Sequence, residues 1–238
     1  MIGIIPCAGT ATRIHGLPKY LLPTPDGYLL GILLKRLRAA GASPVIGANR
    51  FNSGLIHEYA PQTSIYIPDT YQTMTQTVLG ARMYTTSDGE HMDKNVLFGM
   101  PDSYIEDDDC YPKLAAALDD GADVAVALFE ARHKQTAKVG MCHVEGNQVV
   151  EVVDKPAQTH LIWLWGALAW KPEFWQQMLP TDPHVGYALP RAIAAGYDVR
   201  AVKCDGQYFD CGTFGEYAEL VARLHGRKEA SEMIQVYG

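Results

Sequence analysis

Ile2-Gly-Ile-Ile-Pro-Cys-Ala-Gly-Thr-Ala-Thr-Arg-Ile-His-Gly-Leu-Pro-Lys19 decides how this 238-residue chain is read. The apolar run Ile2 to Ile5 reads as a first core strand. It passes directly into the small residues Ala8, Gly9, Thr10, Ala11 and Thr12, a loop ahead of a helix. Small side chains let backbone N–H groups approach an anion closely, and Arg13 and Lys19 can set two cations over its oxygens. That is a triphosphate cradle in outline, with His15 as a phosphate neighbour. It is neither a dinucleotide fingerprint nor a Walker A loop, because GxGxxG and GxxxxGK[ST] are both missing.

Outward from this loop, apolar runs alternate with helix-like stretches. A helix is expected over Tyr28 to Ala40 with Gly41 at its C-cap, then strands at Pro44 to Ala48 and Ser64 to Ile67. A helix from Thr75 to Tyr84, a strand at Asn95 to Gly99, a helix over Pro112 to Leu118 and a strand at Val124 to Phe129 follow. This βαβ rhythm favours a mainly parallel sheet with helices on both faces. Beyond Lys138 the texture changes. Val139 to Val144 and Gln148 to Val153 flank Glu145-Gly-Asn147, a hairpin signal. A strand at Trp163 to Trp170, helices at Pro172 to Met178 and Tyr187 to Ala195, a strand at Val199 to Lys203 and a last helix from Phe214 to His225 complete a mixed second half. No linker or repeat interrupts it, so residues 1–238 are read as a single domain, with a nucleotide half over 1–135 and an acceptor half over 136–238.

A net charge of -7 and a pI near 5.6 argue against nucleic acid or an anionic membrane as partner. Five scattered cysteines without a CxxC pair give neither a disulfide framework nor a zinc ribbon, and the N-terminus lacks the pattern of a signal peptide, so a cytoplasmic location is expected. Leu161 to Trp170 is too short to cross a bilayer. Homo-oligomerisation is left open.

Two carboxylates stand out. Asp102 follows the strand Asn95 to Gly99, at the C-terminal edge where parallel sheets bind ligands. Asp210 lies in Tyr208-Phe-Asp-Cys-Gly-Thr213. The run Glu106-Asp-Asp-Asp109 reads as a solvated loop, because adjacent carboxylates point different ways and repel. By strand alternation Trp163, Trp165 and Trp170 do not all share one face, and most of them read as core.

Gly9, Thr12-Arg13, Pro18-Lys19 and Leu21-Leu22-Pro23, in that order, resemble the signature of the sugar-1-phosphate nucleotidyltransferases, the group of glucose-1-phosphate thymidylyltransferase and UTP-glucose-1-phosphate uridylyltransferase. The resemblance implies a three-layer α/β/α fold with a mostly parallel mixed sheet, like that of the glycosyltransferase-A nucleotide-sugar enzymes. It also implies transfer of a nucleoside monophosphate from an NTP to a sugar 1-phosphate with release of pyrophosphate. On this reading Arg13 and Lys19 are catalytic, and Ala8, Gly9, Thr10, Ala11, Thr12, Met74 and Asp102 join them at the nucleotide. Asp102 and Asp210 hold Mg²⁺. Val152-Val-Asp-Lys-Pro156 resembles the Glu-Lys-Pro motif, so Lys155 takes the acceptor phosphate and Asp154 a hydroxyl, with Gly140 and Gly166 where backbone approaches the sugar.

Five positions depart from the pattern, Thr73 among them, which falls near a family glycine. Ala11 replaces a glycine, Asp154 a Glu and Trp165 a smaller residue, and Pro68 falls where the family's base-reading Gln belongs, so no nucleobase is assigned. The short Arg13 to Lys19 spacing keeps a non-sugar phosphorylated acceptor open, as in the cytidylyltransferases. A catalytically silent nucleotide-binding protein is a second alternative. A glycosyltransferase is a third, for which Asp107-Asp-Asp109 supplies a formal DxD downstream of the expected place.

Overall fold

A computed structural model describes residues 1–9, 17–61, 63–66, 73–85, 94–132 and 135–237. In chain order its strands and helices are β1 (Ile2–Cys7), β2 (Pro23–Thr24), β3 (Gly27–Tyr28), α1 (Leu29–Ala39), β4 (Ser43–Ala48), α2 (Arg50–Tyr59), β5 (Ser64–Tyr66) and α3 (Met74–Thr85). Then come β6 (Val96–Gly99), β7 (Ser103–Ile105), α4 (Cys110–Asp119), β8 (Val124–Glu130), β9 (Gly140–Glu145), β10 (Gln148–Asp154) and β11 (Trp163–Trp170). Next are α5 (Ala188–Ala194), β12 (Val199–Lys203), β13 (Tyr208–Asp210) and α6 (Phe214–Tyr237).

Nine strands form one sheet in the order β5-β4-β1-β6-β11-β8-β12-β10-β9. β11 and β10 run against the rest, so the sheet is mixed and mostly parallel. β1, β6 and most of β8 are buried along their length, as expected for central strands covered on both faces. Ile5, Ala125 and Ala127 face Leu33 and Leu37 of α1 and Leu114 and Leu118 of α4. Ile4, Phe98 and Trp170 face Val78 and Ala81 of α3, Leu189 of α5, and Phe174. Three layers result, as the resemblance implies. Among the described residues no helix is long and apolar enough to cross a membrane.

Three readings are corrected. First, α2 is absent from the sequence reading. Of its apolar residues only Ile56 is buried, while Phe51, Leu55 and Tyr59 are exposed, so no buried stripe marked it. Second, Trp163, Trp165 and Trp170 pack toward one face. The register of β11 on β8 shifts between Trp165 and Ala167, and this bulge at Gly166 resets the alternation. Third, the acidic run is a staple and only partly solvated. Glu106 binds Arg223 at 2.9 Å and the Gln207 N–H at 2.9 Å, and Asp107 binds Lys113 at 2.7 Å and the Asp205 N–H at 2.9 Å. Burial pushes the Asp107 carboxyl up, but Lys113 and the Asp205 and Asp109 N–H groups outweigh it and hold the carboxyl below its ordinary value. The run ties the β7–α4 connection to the turn before β13. Smaller differences lie in Pro172–Gln177, a 3-10 helix, and in α6, which continues to Tyr237.

Candidate active site

β1 delivers Ala8 and Gly9 at the edge of the sheet. Their backbone is gripped by two side chains from the start of α2. Asn49 donates to the Ala8 carbonyl at 2.9 Å, and Asn52 to those of Cys7 at 2.7 Å and Gly9 at 3.2 Å. Asn49 also caps α2 through the Asn52 N–H at 2.8 Å. Neither asparagine was expected to act here, although Asn49 is a legible N-cap. Thr10, Ala11, Thr12, Arg13 and His15 lie outside the described residues. Lys19 begins a short 3-10 turn, is 8% exposed, and places Nζ 3.2 Å from Asp102 Oδ2.

The two aspartates meet through a ribbon that was not foreseen. β7 pairs antiparallel with β13, Asp210 opposite Ser103, and the Cys211 N–H donates to the Asp102 carbonyl at 2.9 Å. Asp102 and Asp210 therefore occupy the same end of one two-stranded ribbon, although 107 positions separate them in the sequence. Their shared field is felt nearby. The Cys211 thiol is pushed up to about 12, first by burial and then by Asp102 and Asp210. The Tyr208 phenol is raised by burial and by both carboxylates, against a hydrogen bond with Ser103 that lowers it. Two hard oxygen donors, one of them paired with Lys19, suit a cation that completes its shell with phosphate and water, which is how Mg²⁺ is usually held. No group of three or more His, Cys, Asp or Glu that could cage a metal occurs among the described residues.

In the second half of the chain, β9 and β10 set Asp154 opposite Gly140. Lys155 follows with φ 45, the sole positive-φ non-glycine among the described residues, and its N–H donates to the Val139 carbonyl at 3.1 Å. Such backbone costs about 1–3 kcal/mol and concentrates at functional sites. Asp154 is held by two residues that the sequence did not advertise, His184 Nε2 at 3.1 Å and the Tyr187 hydroxyl at 3.2 Å. Because His184 Nδ1 accepts from the Gly186 N–H at 3.2 Å, its proton sits on Nε2 and is donated to Asp154. Burial lowers the His184 pKa, against the raising effect of Asp154.

Trp165 closes this group from the β11 side. A Cβ added at Gly140 would lie 2.0 Å from its Nε1, and one at Gly186 would lie 2.7 Å from its ring. Gly166 faces the other way. Its open side is filled by Tyr208 and Phe129, whose rings would stand 2.6 and 2.9 Å from a Cβ added there. Met74 starts α3, and its N–H donates to the Pro183 carbonyl at 3.1 Å, beside His184. A pocket of about 280 Å³ opens next to Asp210, walled by Arg132, Gln135, Lys138 and Glu216.

No protein-family model and no curated protein matches the sequence. Solved structures do. One assigned as a glucose-1-phosphate thymidylyltransferase from Bacillus anthracis, in complex with sucrose, superposes with a TM-score of 0.78 at 16% identity over 94% of this chain and 95% of that one. A UDP-glucose pyrophosphorylase complexed with UDP-glucose gives 0.76 at 15% identity over 95% and 100%. An apo UDP-glucose pyrophosphorylase gives 0.75 at 17% over 96% and 100%. The chain has the fold of the sugar-1-phosphate nucleotidyltransferases.

Proposed function

We propose that this protein is a Mg²⁺-dependent nucleotidyltransferase that moves a nucleoside monophosphate from an NTP to a sugar 1-phosphate, giving an NDP-sugar and pyrophosphate. The observation that carries the reading is the β7–β13 register, which gathers Asp102, Asp210 and, through Asp102, Lys19 at the end of one ribbon. The UDP-glucose bound to a protein of the same fold supports a nucleotide-sugar product.

An acceptor phosphate oxygen forms the new bond to the α-phosphorus, and the bond to the bridging oxygen of the departing pyrophosphate breaks. No general base is required, because the attacking oxygen is already ionised at neutral pH. Bound at Asp102 and Asp210, Mg²⁺ supplies charge neutralisation for the phosphates. Ala8 and Gly9, fixed by Asn49 and Asn52, present the start of the phosphate loop. Lys19 and Arg13 offset negative charge on the triphosphate, and Lys155 orients the acceptor phosphate. Positioning and electrostatics carry the rate.

A non-sugar phosphorylated acceptor is the second reading, favoured by two observations. Trp165 covers the face of Gly140, and both oxygens of Asp154 already accept hydrogen bonds. Pyrophosphate release over a panel of NTPs against hexose 1-phosphates and phosphocholine, with Mg²⁺, decides between them. NTP binding without turnover for any pair would refute the transferase reading.

A further inference from the structure

β13 is only three residues long, and among the described residues it pairs with β7 alone, along one edge. The Gln207 carbonyl accepts the Glu106 N–H at 3.0 Å on the β7 side, so alternation turns the Tyr208 carbonyl outward. There it meets Gln135, which is 9% exposed and whose Nε2 donates to it at 2.9 Å. Gln135 is itself fixed. Its Oε1 accepts the Arg132 N–H at 3.0 Å, its own N–H donates to the Arg132 carbonyl at 2.8 Å, and its carbonyl accepts the Lys138 N–H at 2.8 Å. The Arg132 guanidinium lies 4.6 Å over the Phe209 ring and pairs with Glu219 at 3.1 Å. The same turn leads into Val139, whose carbonyl holds the Lys155 N–H.

We propose that Gln135 is a positioning residue that holds β13, and with it Asp210, in place beside Asp102, and couples that pair to the acceptor lysine. This rests on the reading of Asp102 and Asp210 as the metal pair. Without the amide, the outward carbonyl of Tyr208 loses the donor that Gln135 supplies, and β13 is left with its bonds to β7. A displaced β13 moves Asp210 relative to Asp102, and a relaxed turn moves Val139 relative to Lys155.

Gln135→Leu and Gln135→Met keep most of the side-chain bulk and remove the donor without adding charge beside Asp210. Mn²⁺ binding, followed by electron paramagnetic resonance of the free ion, is expected to weaken about 10- to 100-fold in both, the range for groups that orient metal ligands. In turnover the Mg²⁺ requirement and the NTP KM rise with it, and the acceptor KM rises as Val139 shifts relative to Lys155. Gln135→Asn, which keeps a donor one methylene short, gives a smaller loss and serves if the other two fold poorly. Arg200→Ala, which breaks the pairs with Asp198 and Asp120 at the start of β12, is the stability control. It lowers Tm and leaves Mn²⁺ binding intact. Wild-type Mn²⁺ affinity in the Gln135 variants, or equal weakening in Arg200→Ala, overturns the proposal, as does a wild type that binds no Mn²⁺. A wild type that binds Mn²⁺ but turns over no substrate pair refutes the transferase reading alone, and the Mn²⁺ measurements still judge Gln135.

Discussion

Lys19→Met separates the two roles that Lys19 holds, partner of Asp102 and cation for phosphate. The side chains of Lys19 and Asp102 are 10% and 21% exposed, so the pair lies between the buried and surface limits. Removing one partner of a buried pair costs about 3–5 kcal/mol, and an exposed pair contributes about 0–1 kcal/mol, which places this loss near 2 kcal/mol. For a chain of this size that lowers Tm by about 4–8 °C. The deficit is specific, because it arises from a carboxylate left without its cation. A divalent ion that reaches Asp102 therefore stabilises Lys19→Met more than wild type, where Lys19 must first be displaced. Thermal denaturation in EDTA and then across a Mg²⁺ titration reads both effects. Equal Mg²⁺-induced shifts in the two proteins, or a variant that melts at the wild-type temperature in EDTA, would refute the idea that lysine and metal compete for Asp102.

Asp102→Asn and Asp210→Asn are each expected to lower turnover at least tenfold, about 1.4 kcal/mol of barrier, and full activity in either removes that residue from the metal site. His184 is held neutral by burial, with a folded pKa below its ordinary value of 6.5. The unfolded chain then binds the proton more readily, so stability is complete above about 6.5 and is lost as pH falls from there through the folded pKa. His184→Gln should flatten that part of the Tm–pH curve, and an unchanged slope removes His184 as its source. Gly140→Ala places a methyl where the Trp165 indole sits and should cost about 1–3 kcal/mol by overpacking. Trp165→Leu in the same chain should recover most of that Tm loss, which an additive double-mutant cycle would contradict.

The layers were legible where one segment carries its own pattern. β1, β6 and β8 are unbroken apolar runs because both of their faces are covered, and α1 with Gly41 reads cleanly because its stripe is buried and its end is capped. Asp102, Asp210 and Lys155 were legible as residue types in short motifs. What joins them was not. β7 and β13 are too short for a period of two to register, and their pairing links residues about a hundred positions apart. The clamp on Asp154 comes from His184 and Tyr187, 30 and 33 residues downstream, with no spacing rule that connects them. Gly166 shows the same limit from the other side. Its lack of a side chain is visible in the sequence, but whether that makes room for a ligand or for a neighbour depends on what stands opposite. Here it is the Tyr208 ring, whose hydroxyl is 2.6 Å from Ser103 Oγ, so the bulge in β11 seats the ribbon that bears both aspartates. A glycine expected to touch the acceptor thus packs against the ribbon of the proposed metal pair, and on this arrangement its replacement should disturb Mg²⁺ dependence before acceptor affinity.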